Sequence, residues 1–279
     1  MIRILVDSTS DFAPAECEAR NITMVPLSVN FGDDSFLDVV EMDKEEFYDR
    51  LVNGDVHPKT SQPAPAAFLE AFEEAKEKGD ELICIMLSGA ISGTYQNAVN
   101  AKMMSEYEKI HVIDSCTTTA CIRVLVDYAE KLIGWGLSAE EIVERLEELK
   151  GRVRLLAALD TLEYLQKGGR LSKAAAAIGS MASLKPVITL TGEGAISVQQ
   201  KCLGKARAQQ YLLDQMKKVE LDEDFPLYSL YTYGTENCEK MEDNMLKIGL
   251  KPEQRIRISS VIGTHVGPEV YGMIYVVKK

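Results

Sequence analysis

Four short segments concentrate hydroxyls, glycines and a histidine: DSTSD (Asp7–Asp11), KTSQPAP (Lys59–Pro65), SGAISGTYQN (Ser88–Asn97) and IGTHVGPE (Ile262–Glu269). Residues of these types are suited to holding an anion. Hydroxyls and main-chain N–H groups donate, glycine admits close backbone approach, and imidazole donates or, once protonated, adds charge. In SGAISGTYQN, Ser92 and Gly93 fall where a strand hands over to a helix. A helix start offers unpaired N–H groups and the positive end of its dipole. A capped turn using Ser92 or Thr94 accounts for part of this composition, and the surplus of glycine and hydroxyl points to an anion site. Thr60 and Ser61 precede a helix that Pro63 or Pro65 opens. Ser61 is the expected N-cap, which leaves Thr60 to face a ligand. His265, one of three histidines, lies between Gly263 and Gly267 in what reads as a sharply turned loop. His57 and His111 have no such setting. Arg170 follows two glycines in QKGGRLSKAAAAIG. It contacts an anion or an acidic partner, or it ends a helix on the surface. Asp7 and Asp11 lack a third nearby ligand, so turn ordering by Asp7 and capping of the next helix by Asp11 fit better than a metal site.

The same segments limit covalent chemistry. No Gly-Lys-Ser/Thr follows the SGAISG turn, so it is not a Walker loop. Ser92 is preceded by Ala90-Ile91, so the G-x-S-x-G nucleophile elbow is missing. The six cysteines form no C-x-x-C pair and match no zinc spacing, and they are expected to be reduced and structural. No cofactor or metal is called for. A net charge of −12 argues against nucleic acid and anionic membranes as partners. No apolar run reaches the ~20 residues of a membrane span, and no signal peptide is visible at the N-terminus. No stable membrane insertion and a cytoplasmic location are therefore expected.

The elements that must position these segments alternate. Strand patterns at Ile2–Asp7, Ile22–Phe31, Glu81–Ser88 and Lys109–Ser115 are separated by helical patterns at Ala64–Lys78, Thr94–Ser105, Thr118–Trp135 and Ser138–Leu149. Ser138 with Glu141 fits a capping box. Pro26 in the second strand suggests an edge or a bulge. Strands and helices of this length in alternation predict an α/β fold with a mostly parallel sheet covered on both faces. Ligands of such sheets bind beyond the carboxyl ends of the strands, which is where DSTSD and SGAISG fall. After Gly151 the pattern changes to a second α/β or α+β layer that includes RIRISSVIG and VYGMIYVVKK. The expected division is 1–152 for an N-terminal α/β domain and 153–279 for a C-terminal α/β domain.

DSTSD, TSQP, SGAISGTYQNA, LEYLQKGGRLS and GTHVGPE, in this order from Asp7 to Glu269, resemble the signatures of the DegV family over essentially the whole chain. That resemblance implies a two-domain α/β protein that binds a long-chain fatty acid in a tunnel between the domains. It implies a non-catalytic role, in which the carboxylate is presented to an ATP-dependent fatty acid kinase partner that forms an acyl phosphate for phospholipid synthesis. By position in the motifs it implies head-group contacts from Thr60, Ser92 and His265, with help from the backbone near Gly93 and from Arg170. Two departures stand out. Members often read DSRSASLG where this chain has DSCTTTACI (Asp114–Ile122), a change expected to reshape the acyl tunnel. They often read GPGA where this chain has GPEV, which sets Glu269 close to the carboxylate site, either weakening anion binding or pointing away.

Charge-assisted hydrogen bonds to a carboxylate are worth ~1.5–3 kcal/mol each. Burial yields about 0.8 kcal/mol per methylene, so a 16-carbon chain has roughly 10 kcal/mol available before ordering costs. Affinity is expected from the tunnel and orientation from the turns. Tunnel lining is expected from AAAAIGSMASL (Ala174–Leu184) and from the helix beginning at Thr118. Two rival readings are a carrier of another amphipathic carboxylate or phosphate-headed lipid, and a serine hydrolase or acyltransferase using Ser92 and His265.

Overall fold

The computed structural model describes residues 1–171 and 183–279. The N-terminal half is built on a four-stranded sheet from β1 (Ile2–Asp7), β2 (Ile22–Val25), β6 (Glu81–Met86) and β7 (Ile110–Asp114), in the order β2-β1-β6-β7. Every pairing in it is parallel. Strict alternation divides its side chains between two faces. Leu5, Leu82, Cys84 and Met86 pack on Phe68 and Phe72 of the helix Pro65–Lys78 and on Ala98 and Ala101 of the helix Thr94–Ser105. Ile4, Val6, Ile83, Ile85 and Ile113 pack toward the helices Ala120–Gly134 and Ala139–Lys150. The Ser138–Glu141 capping box is formed.

The expected single strand 22–31 is two strands in different sheets. Pro26 has no N–H to give a ladder, and the chain breaks there. β3 (Ser28–Phe31) joins β4 (Asp34–Leu37) and β5 (Lys59–Ser61) in a small antiparallel sheet, order β4-β3-β5. A second sequence expectation also fails here. Ser61 is not an N-cap but the last residue of β5, where its Oγ accepts from Asn30 at 3.1 Å. The following helix starts at Pro65 with no side-chain cap. Proline at N1 already lacks the N–H that a cap would satisfy.

The C-terminal half carries a six-stranded sheet. Its strands are β8 (Val153–Ala158), β9 (Leu184–Leu190), β10 (Ile196–Leu203), β11 (Tyr228–Tyr231), β12 (Gln254–Arg257) and β13 (Tyr271–Val276), in the order β10-β9-β8-β13-β11-β12. Only β11–β12 is parallel. One face is covered by the helices Lys205–Met216 and Glu236–Lys247 through Leu212, Met216, Met241 and Met245. The other face belongs to a buried cluster that runs from Ile4 and Ile83 through Phe47 and Tyr48 to Leu155, Ile188 and Leu230. The two sheets therefore share one core. RIRISSVIG is not one strand: it divides into β12 and a short helix, Ser260–Val266. No helix among the described residues is long and apolar enough to cross a membrane.

Buried polar groups fix the loops beyond the parallel strands. Asp7, fully buried, accepts from the N–H of Thr9 at 2.9 Å and of Leu87 at 2.7 Å, so the β1 loop is tied to the β6 loop. Ser88 N–H donates to the Thr117 carbonyl at 2.9 Å, tying in the β7 loop. Asp11 does not cap the helix Pro14–Ala19, whose N-cap is Ala13. It accepts instead from Ser259 N–H at 2.7 Å, at the start of the helix Ser260–Val266. Asp7→Ala leaves two buried N–H groups without their acceptor. It is expected to lower the unfolding free energy by about 2–4 kcal/mol, read by urea denaturation, and a loss under about 1 kcal/mol would contradict this assignment.

Candidate functional site

The face shared by the two sheets contains a cavity with about 880 Å³ of space not occupied by atoms, its mouth included. Thr60, Ser92, Arg170 and His265 all line it. Gly93 lies beside it, in an adjoining open depression that Ser92 and Arg170 also border. Most of the remaining wall is aliphatic, with Leu155, Ala157, Ile188, Leu190, Ile196 and Leu230 on the mixed sheet and Leu27, Leu87 and Ile91 opposite. The walls are largely apolar, and seven polar side chains, these four with Gln62, Thr118 and Thr119, line the cavity.

His265 is not in a loop. It lies in the helix Ser260–Val266 and is 8% exposed. Its Nε2 is 2.9 Å from Thr60 Oγ1 in the middle of β5. Its Nδ1 is buried with no partner among the described residues. A buried N–H without an acceptor costs more than an idle lone pair, so the favoured tautomer carries the proton on Nε2 and donates to Thr60. The Thr60 hydroxyl proton is then free for another acceptor. Gly168 explains how the imidazole fits: a Cβ there would lie 2.1 Å from Nδ1.

Ser92 behaves similarly. Its Oγ accepts from Thr94 N–H at 3.3 Å and is 2.9 Å from Thr94 Oγ1. With Thr94 donating, the Ser92 hydroxyl proton is also free. The helix Thr94–Ser105 has Gly93 as N-cap and no side-chain cap across it. Gly93 is needed for contact between motifs, because a Cβ there would meet the Gln62 amide at 2.3 Å. Arg170 donates from Nε to the Ile91 carbonyl at 3.1 Å and from Nη1 to the Gly168 carbonyl at 2.7 Å. These bonds hold the guanidinium without neutralising it, and no described carboxylate pairs with it.

The electrostatics agree. Burial, then the nearby Arg170 charge and His57, pushes the His265 pKa down to about 4. The imidazole is therefore neutral at physiological pH, and the positive charge of the site is Arg170. The site is a place for one anionic group: a fixed cation, two hydroxyl donors and an imidazole that orients one of them.

It is poorly arranged for a serine nucleophile. Ser92 is hydrogen-bonded to Thr94 and His265 to Thr60, and no carboxylate orients Nδ1. Glu269 points away: it is ion-paired with Lys205 and absent from the cavity wall. His57 stacks near Tyr164, with ring centroids 5.6 Å apart. Three polar lining residues, Gln62, Thr118 and Thr119, are beyond the motif reading. The departure at Asp114–Ile122 was the signal for the last two, which stand on the wall just before the helix Ala120–Gly134. Of the expected lining segment Ala174–Leu184, residues 174–182 lie outside the described residues, and Ser183 and Leu184 are not on the wall.

The fold is a two-domain α/β architecture with a buried cavity whose walls are largely apolar. A family model described as "Uncharacterised protein, DegV family" matches residues 1–278. A DegV domain-containing protein of Caldanaerobacter subterraneus subsp. tengcongensis is 34% identical, over 98% of this chain and 98% of its own. Two solved structures share the fold across nearly the full length of both chains. A DegV family protein from Thermus thermophilus, described by its fatty acid binding, has a TM-score of 0.89 at 28% identity, covering 99% of each chain. A stearic-acid-binding protein from Eubacterium ventriosum has a TM-score of 0.88 at 28% identity, covering 100% of this chain and 99% of its own. The chain belongs to the DegV family.

The His265 pKa gives a signed prediction. Its folded value, about 4, is below the ordinary 6.5, so the unfolded chain binds this proton more readily. Stability from this group is intact above about pH 7 and lost as pH falls from 6.5 through 4. In urea unfolding, the native protein should lose more stability between pH 7.5 and 5 than a His265→Asn variant. A His265 NMR resonance titrating near 6.5 would contradict the buried, neutral assignment.

Proposed function

We propose that this protein binds a long-chain fatty acid in the cavity, with the carboxylate on Thr60, Ser92 and Arg170 and with His265 orienting Thr60. The observation that carries this reading is the Arg170 guanidinium, with no carboxylate partner among the described residues, beside the Thr60 and Ser92 hydroxyls in a cavity whose walls are otherwise largely aliphatic. A long apolar tail with a single anionic head satisfies both parts. Each methylene adds about 0.8 kcal/mol on burial. The head adds charge-assisted hydrogen bonds and gives the half-buried Arg170 guanidinium a counter-charge. The fatty acid ligands of the structurally similar proteins support the same class.

In this reading the protein acts in the cytoplasm as a binding subunit without chemistry of its own. It presents the carboxylate to an ATP-dependent fatty acid kinase, which forms the acyl phosphate. Supporting this, the open depression beside Gly93 shares Ser92 and Arg170 with the cavity, so the head-group end is also the end nearest a partner. We further propose that 1–152 and 153–279 are the two domains and that the ligand lies between them, since the wall draws residues from both.

The test is mass spectrometry of lipid extracted from the purified protein, followed by binding measurements on Ser92→Ala and His265→Ala. One fatty acid per chain is expected, with roughly tenfold weaker binding in each variant, corresponding to about 1.4 kcal/mol, and with little loss of stability in Ser92→Ala. Extraction of a phosphate-headed lipid, or of no fatty acid, contradicts the ligand class. Normal binding and normal transfer to the kinase by both variants contradicts the site.

A further inference from the structure

One stretch of the cavity wall is not accounted for by a plain hydrocarbon tail. Thr118 lines the cavity and is 5% exposed, and its Oγ1 is buried without a hydrogen-bond partner among the described residues. Leaving a hydroxyl unsatisfied in an apolar surround costs about 1–3 kcal/mol. Leu87, Leu155, Leu190 and Ile196, which line the same cavity, have only hydrocarbon side chains to offer. Thr119, also on the wall, differs in having a partner for its Oγ1, which accepts from Ala120 N–H at 2.5 Å. A trapped water is a poor substitute, because a buried water needs two to four polar partners.

The backbone holding Thr118 is strained. Thr119 has φ 53 and ψ −149, close to a region that only glycine populates freely, and it is β-branched. Cys116, two residues before Thr118, also has a positive φ, 52. Strain of this kind persists where the surrounding structure fixes a segment, and it concentrates at ligand contacts. Rotation about χ1 exchanges the hydroxyl and methyl positions of Thr118, so the hydroxyl can meet a ligand without backbone movement.

We propose that Thr118 hydrogen-bonds an oxygen substituent on the acyl chain, so that the class of ligand the cavity favours is the hydroxy- or oxo-fatty acid over the plain acid. This rests on the fatty-acid reading above and adds a second polar contact along the tail.

The experiment is displacement of a fluorescent fatty acid by stearate and by a positional series of hydroxystearates, with native protein, Thr118→Val and Thr118→Ser. At least one isomer should bind native protein 5- to 20-fold more tightly than stearate. Thr118→Val, which keeps the branching and removes the oxygen, should bring that isomer to parity while stearate affinity stays within twofold. Thr118→Ser should keep the preference. If stearate binds and no isomer is preferred, or if the preference persists in Thr118→Val, the inference is overturned and the fatty-acid reading stands. If neither stearate nor any isomer binds, both are overturned.

Discussion

The structure depends on a hydrogen bond between its two halves, from His265 in the C-terminal half to Thr60 in β5, made in a largely dry environment. It places a histidine where burial keeps it neutral and makes it a donor to a hydroxyl rather than a second cation. The arrangement around it serves that geometry. Asp11 fixes the start of the histidine's helix from across the interface. Gly168 leaves room for the ring. The polar end of the cavity thus has one charge, Arg170, with its hydrogen-bonding directions set by neutral groups.

Separating charge from orientation in this way has a physical rationale. A desolvated cation attracts any anion strongly, but a neutral hydroxyl pair selects a planar, two-oxygen acceptor. If His265 were also charged, the empty site would carry a buried imidazolium close to the half-buried Arg170 guanidinium, which burial and mutual repulsion both oppose. The carboxyl ends of β1, β6 and β7 contribute through their loops, cross-linked by Asp7, Ser88 and Thr117. These loops form a stiff rim, and the mixed sheet supplies the aliphatic wall.

Much of this was legible in the sequence. Alternating strand and helix patterns defined the parallel sheet, because residues buried on both faces leave unbroken apolar runs such as ELICIML. The four motifs named Thr60, Ser92, Arg170 and His265, which the fold gathers onto one cavity. What local pattern missed was set by long-range partners. Asp11 looked like a cap for the next helix because its true partner, Ser259, is 248 residues away. His265 read as a loop residue because a seven-residue helix with a glycine at its centre and another at its end carries little periodicity. Ser61 read as a cap because the short strand it ends has meaning only beside β3. The helix expected to line the tunnel was read from Thr118, and the fold puts Thr118 and Thr119 on the wall just ahead of the helix start at Ala120.

The central claim is that a carboxylate is held, still ionised, by Arg170, Thr60 and Ser92. Palmitate labelled with 13C at the carboxyl carbon, bound to the protein and followed by NMR between pH 8 and 5, tests this most directly. The account predicts one sharp bound resonance that does not titrate across this range, because the neighbouring guanidinium favours the charged form, and that shifts in Thr60→Val. A bound carboxyl resonance that titrates as it does in water, and that is indifferent to Thr60→Val, would place the head group outside this site and contradict the account.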